Sequence, residues 1–326
     1  MMFAQAAKRI YVNDVATRDG FQIESRFIPT EDKIRLINQL SKTGLAKIEA
    51  TSFTSPKAIP ALADAEGVMK GIERVKGVTY TVLVPNVRGA ERAVECKADE
   101  LNLVMSVSET HNLANLRMTR EQSFKQIADI VNFAKPTGVA INVSLSCSFG
   151  CPMEGVVPAE ETYRWTDRAL GLGARGVTLC DTTGVAYPTQ VLGMVQEFRR
   201  RWPEAELTMH FHNSRGMGLA NVVAAIEGGA FQFDASLGGL GGCPYAPGAT
   251  GNICTEDLVH MLDLMGFKTG VNLDGLLSAS RQLPGLIGHD VSGQVVKAGK
   301  VDDLHKPPEW FDEVKARAHA RDAASA

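Results

Sequence analysis

The sequence predicts a parallel, eight-stranded α/β barrel. Short β-branched runs alternate with longer helical stretches, which implies parallel pairing through βαβ crossovers. The alternation occurs eight times at intervals of about 20 to 40 residues, and eight units close a (β/α)8 TIM barrel, here with additional C-terminal helices. Reactive side chains recur at the ends of these runs, where parallel barrels build their sites. A doubly wound open sheet is the rival, but no glycine fingerprint follows the first run.

In chain order the strand-like runs are "IYVND" (10–14), "KIEAT" (47–51), "TYTVLVP" (79–85), "ELNLVMS" (100–106), "VAINVSL" (139–145), "GVTLCD" (176–181), "LTMHFH" (207–212) and "FQFDAS" (231–236). After the first run, "TEDKIRLINQLSKTG" (30–44) reads as a helix with Thr30 as N-cap, acids in its first turn and Gly44 as its stop. "PAEETYRWTDRALGLG" (158–173) has Pro158 near its start and apolar residues at helical spacing. Past the eighth run "TEDLVHMLDLMGF" is helical again, and 271–305 completes one catalytic domain spanning 8–305. Residues 306–326 read as a tail, an exposed helix or a frayed end.

Composition narrows the function. The 326 residues carry a net charge of −3 with 44% hydrophobic residues and 31 glycines, which suits one large globular domain. No Lys/Arg cluster stands clear of neighbouring acids, so a nucleic-acid partner is not expected; "EFRRRW" (197–202) reads as the solvated end of a helix. No apolar run approaches the roughly 18 residues of a membrane span. The N-terminal stretch lacks the apolar core of a signal peptide, and six scattered cysteines fit free thiols in a reducing cytoplasm.

The candidate site residues fall at strand ends. The first run leads into "ATRDGFQ" with Arg18, Asp19 and Gln22; Glu49 lies near the end of the second; the sixth ends on Asp181. In "LTMHFHNSRG" two histidines stand two apart, so on a strand His210 and His212 face the same way. The eighth run enters "SLGGLGGCPYAPGATGN", with Cys243 and Asn252. The first, seventh and eighth strands are neighbours in a closed barrel, so Asp19, His210, His212 and Asn252 can converge. A carboxylate, two imidazoles and an amide oxygen suit Mg²⁺, Mn²⁺ or Co²⁺ with water or substrate in open positions, rather than a closed thiolate zinc site. Cys243, inside a glycine-rich loop, can act as proton donor or nucleophile. His111 in "SETHNLANL" is expected to cap the helix that follows, and "CSFGC" (147–151) to pack as a loop.

"TRDGFQ", "IEATSFTSPKAIPAL", "SCSFGCPMEG", "CDTTG", "HFHNSRG" and "GLGGCPYAPGATGN" followed by "TEDLVHML" together resemble the 3-hydroxy-3-methylglutaryl-CoA lyases, within the metal-dependent pyruvate-carboxyltransferase-like barrels. The likeness runs from about residue 10 to about 275, and the cysteine loop is its most specific part. It implies retro-Claisen cleavage of a 3-hydroxy-3-methylglutaryl thioester to acetyl-CoA and acetoacetate with Mg²⁺ or Mn²⁺. Carried over, Asp19, His210, His212 and Asn252 resemble metal ligands, Arg18 the residue facing the enolate oxygen, and Cys243 the thiol that protonates the departing carbanion. Glu49, Asp181 and Glu256 match supporting acids. Asp181, Asp19 or a histidine would take the hydroxyl proton. An acyl-CoA substrate and a homo-oligomer, dimer or tetramer, are expected. An aldolase or Claisen synthase acting on a 2-oxo acid, and a catalytically silent acyl-CoA-binding barrel, are the alternatives.

The chain departs from the family pattern at Asn213-Ser214-Arg215 after the second histidine, at "FQIE" after the first motif, and at Gly293-Gln294 within 286–299. Arg215 is expected to pair with a substrate carboxylate if it faces the pocket.

Overall fold

The computed structural model describes residues 8–242 and 251–325. Eight parallel strands close into one barrel in sequence order: β1 (Tyr11–Asp14), β2 (Lys47–Ser52), β3 (Thr79–Leu83), β4 (Glu100–Ser106), β5 (Ala140–Ser146), β6 (Gly176–Asp181), β7 (Glu206–Phe211) and β8 (Gln232–Ala235). Each run foreseen in the sequence forms a strand at nearly its expected bounds. Closure comes through β1 and β8, where Asn13 stands beside Asp234, while β8 pairs with β7 through Asp234 and His210.

Register decides what faces inward. Residues paired across parallel strands point the same way, so the row Asn13, Asp234, His210, Cys180 faces the interior. The next row, with Asp181 beside Phe211, faces the helices. The outer row packs an apolar layer between barrel and helices, with Val177, Leu179, Met209, Phe211 and Phe233 all buried. The interior is instead rich in hydrogen-bonding groups, among them Glu49, Asn102, Asn142, Ser144 and Thr178. Barrel interiors usually pack branched apolar side chains; polar groups kept out of water must therefore find partners inside.

The helix Ala159–Leu172 begins after Pro158 and stops at Gly173, which turns the chain at φ 104. The helix Thr30–Ser41 starts one residue earlier than expected, with Pro29 at the cap position. Thr30 is therefore not the cap: its hydroxyl donates to Asp64 at 2.8 Å. Gly44 lies three residues past the helix at φ 91, where an added Cβ would meet the Gly270 carbonyl oxygen at 2.2 Å. After β8 the helices Thr255–Leu264 and Leu273–Ser280 pack near the barrel mouth, and Phe311–Ser325 forms a final helix on the exposed tail. Among the described residues, no helix is long and apolar enough to cross a membrane.

Candidate active site

The turn after β1 carries the first two functional side chains. Residues Ala16–Gly20 wind into a five-residue π-turn, with the Asp19 amide donating to the Val15 carbonyl at 2.7 Å. Asp14 anchors the turn, accepting the Ala16 amide at 2.9 Å and the Thr255 hydroxyl at 2.7 Å. Arg18 and Asp19 thereby project into the barrel mouth. There they line a cavity of ≈ 380 Å³ together with His210, His212, Asp234, Cys180 and Asn102.

Asp19, His210 and His212 bring their ligand atoms within 4.8 Å of one another. Asn252 joins them, its amide donating to Asp19 Oδ2 at 2.7 Å and to the Leu240 carbonyl at 2.9 Å. The donor set suits a hard or borderline divalent cation. Asn252 Oδ1, on the amide that donates to Asp19, is buried without a hydrogen-bond partner, a costly state that a cation there would relieve. Gly241 is shaped to the cluster: at φ 104 an added Cβ would meet Asn252 Nδ2 at 2.5 Å and Asp19 Oδ2 at 2.9 Å.

The electrostatics favour ligation. Burial works to raise the Asp19 pKa, but Arg18, the two histidines and the Asn252 amide outweigh it and hold the carboxyl at about 2. Burial, followed by the charge of His210, pushes His212 down to about 4. At neutral pH Asp19 is thus anionic and His212 neutral, the forms that bind metals. Burial also works against charge on His210, but Asp234 raises its pKa through a hydrogen bond and its charge.

Asp234 is a candidate site residue that sequence reasoning missed. It accepts the Asn13 amide at 2.8 Å and lies 3.3 Å from His210 Nδ1, a carboxylate behind a candidate metal-ligating imidazole. The available signal was its place in "FQFDAS", two residues from Gln232 and on the face opposite the buried Phe233.

Arg18 bridges two acids. Its Nε donates to Glu49 Oε2 at 2.5 Å and its Nη1 to Asp19 Oδ1 at 2.6 Å, all three largely buried. Glu49 therefore orients the guanidinium.

Asp181 does not face the cavity. Its carboxylate accepts the Val185 amide at 2.8 Å and the Ala186 amide at 3.2 Å, folding the loop after β6. The strand parity that turns His210 inward turns Asp181 outward, so the geometry removes it as acceptor of the substrate proton. Arg215 is likewise outside the cavity, donating to the Thr183 and Gly184 carbonyls at 3.0 and 2.9 Å. It ties two loops together and is not placed to pair with a substrate. His111 is no cap: Ser108 caps the helix Glu109–Leu116, while His111 is buried beside the cavity with Nδ1 2.6 Å from Ser106 Oγ. Glu256 supports from behind, accepting the Gly238 amide and the Cys254 thiol at 2.9 Å each. Cys147 and Cys151 are buried thiols in loop packing, not paired in a disulfide. Cys243 lies outside the described residues.

The family model described as HMGL-like matches residues 9–283. The chain belongs to the HMGL-like family. A hydroxymethylglutaryl-CoA lyase of Bacillus subtilis is 46% identical over 281 residues, covering 86% of this chain and 94% of its own length. The human mitochondrial hydroxymethylglutaryl-CoA lyase is 38% identical over 291 residues, covering 89% and 90%. Among solved structures, an HMG-CoA lyase from A. baumannii in complex with coenzyme A and 3-methylmalate is 52% identical with a TM-score of 0.89, covering 94% of this chain and all of that one. The carboxyl transferase domain of Rhizobium etli pyruvate carboxylase, 15% identical at a TM-score of 0.68 over 96% of this chain and 53% of that one, shows the shared barrel alone.

Proposed function

We propose that this HMGL-like family member is a carbon–carbon lyase that cleaves 3-hydroxy-3-methylglutaryl-CoA to acetyl-CoA and acetoacetate in the cytoplasm. The observation that carries the reading is the Asp19, His210 and His212 cluster beside Arg18 at the mouth of a barrel of this family. Asp19, His210, His212 and Asn252 are the residues that would hold Mg²⁺ or Mn²⁺, which when bound supplies Lewis acidity toward the substrate hydroxyl and the carbonyl formed from it.

The chain's own residues do the rest. The hydroxyl proton passes to a group facing the cavity, drawn from Asp19, His210, His212 and Asp234; Asp181 is excluded by its orientation. The C3–O bond becomes a carbonyl as the C2–C3 bond breaks, and the electron pair moves onto the thioester as an enolate. Arg18, kept charged by Glu49 and Asp19 against the penalty of burial, faces that developing oxyanion; such a donor contributes on the order of 3 kcal/mol. Cys243 then delivers a proton to C2, completing acetyl-CoA.

The test is a panel of 3-hydroxyacyl-CoAs supplied with Mg²⁺ or Mn²⁺, following thioester release. Acetyl-CoA from the 3-hydroxy-3-methylglutaryl thioester supports the assignment, and turnover confined to a different acyl group overturns it. Cys243→Ala separates lyase from synthase: a lyase loses most of its turnover, whereas a synthase on a 2-oxo acid loses little.

A further inference from the structure

Glu49 receives more than Arg18. Its second carboxylate oxygen, Oε1, accepts the side-chain amide of Asn102 from β4 at 2.8 Å. Asn102 sits where a barrel interior ordinarily carries a branched apolar side chain, and it is 8% exposed. Its own carbonyl oxygen accepts two bonds, from Ser144 Oγ at 2.7 Å and from Asn142 Nδ2 at 3.0 Å. Asn142 Nδ2 also donates to Thr178 Oγ1 at 2.9 Å. The Glu49 carboxylate, paired with Arg18, can only accept, so it is the Asn102 nitrogen that faces Glu49, leaving the Asn102 oxygen to accept from Ser144 and Asn142.

We propose that Asn102 is a positioning residue for the reaction, acting through Glu49 as the last member of a hydrogen-bond relay from β6 and β5 across the barrel interior. The proposal rests on the lyase reading. The physical logic is directional. Glu49 takes one donor on each oxygen, Asn102 on Oε1 and Arg18 on Oε2, so its carboxylate plane is fixed and the Arg18 guanidinium is fixed with it. Without Asn102, Glu49 keeps its charge partner but is free to rotate, and the guanidinium loses its aim at the thioester oxygen. Asn142 does not line the substrate cavity, so any effect of its removal on chemistry must travel through the relay.

The experiment is a double-mutant cycle on the full chain, reading kcat and KM for 3-hydroxy-3-methylglutaryl-CoA, with melting temperature measured for each variant. Asn102→Leu is expected to lower kcat about 10- to 100-fold, the range for residues that support a site from behind, with KM within about twofold. In a Glu49→Gln background the same change should add less than about twofold, because the residue it acts through is already impaired. Asn142→Val should lower kcat in the same direction by a smaller factor. A merely structural residue would act multiplicatively in both backgrounds, and that outcome overturns the proposal. So does an unchanged kcat for Asn102→Leu or for Glu49→Gln. Should Asn102→Leu fail to fold, Asn102→Ala and Asn142→Val carry the same cycle. A wild type inactive on every thioester overturns the lyase reading and this inference together; an active wild type with multiplicative effects overturns this inference alone.

Discussion

Burial and the neighbouring charges together set the protonation states at the barrel mouth, and those states decide what each residue does. Asp19 at about 2 and His212 at about 4 are poised to donate lone pairs at neutral pH. Asp19→Asn is expected to weaken Mn²⁺ binding at least 10-fold, measured by titration calorimetry; unchanged affinity would remove Asp19 from the ligand set. Asp234→Asn should weaken metal affinity or turnover by about 10- to 100-fold, as loss of a carboxylate behind a ligating imidazole does. At this scale the sequence was legible where alternation was applied and illegible where it was not. Two histidines spaced by two announced a shared direction. The same parity, applied from Cys180 and His210, turns Asp181 toward its own loop, and its position at a strand end alone was misleading. Asp234 escaped because its partners, Asn13 and His210, lie 221 and 24 residues away in the chain and become neighbours only through strand register, Asn13 only when β1 closes on β8.

At the scale of elements, the turn after β1 and the segments flanking Cys243 hold the site in place. Gly241 has a left-handed backbone, and a side chain there would strike both Asn252 and Asp19. Gly241→Ala is expected to cost about 1 kcal/mol or more in backbone strain and to lower kcat/KM further by displacing Asp19; wild-type kinetics would refute the close approach. Asp14 gives the turn a pH dependence. Burial is the dominant cause that raises its pKa from 3.8 to about 7, although the Thr255 hydroxyl and Ala16 amide bonds act to lower it. Since the folded value lies above the unfolded one, stability from Asp14 is full below about pH 4 and declines as pH rises toward 7, by roughly 4 kcal/mol in all. Asp14→Asn should flatten that part of the curve of melting temperature against pH; an equal slope in both proteins would contradict the assignment. Strand bounds were readable because β-branched runs end on turn residues. The Thr30 cap was not, because Pro29 takes the cap position and Asp64, 34 residues on, takes the hydroxyl.

At the scale of the whole molecule, closure of the barrel is what creates the site, since β1, β7 and β8 meet only in the ring. The polar interior contributes nothing to an apolar core and is instead a framework aimed at Glu49 and Arg18; its residues were visible singly in the strand runs, but their linkage depends on registers across β2, β4, β5 and β6 that the sequence does not display. The exposed tail stands apart from this framework, and the catalytic domain is proposed to end near residue 305. Deleting residues 306–326 should shift the melting temperature by no more than about 2 °C, in keeping with a segment that buries little, and leave turnover intact; a large loss of either would place the tail within the folded domain. The most direct test of the central claim is acetyl-CoA release from 3-hydroxy-3-methylglutaryl-CoA by enzyme stripped of divalent cations, before and after Mg²⁺ or Mn²⁺ is restored. Turnover that vanishes on stripping and returns with either ion is the predicted result, and full turnover in the stripped enzyme would contradict it.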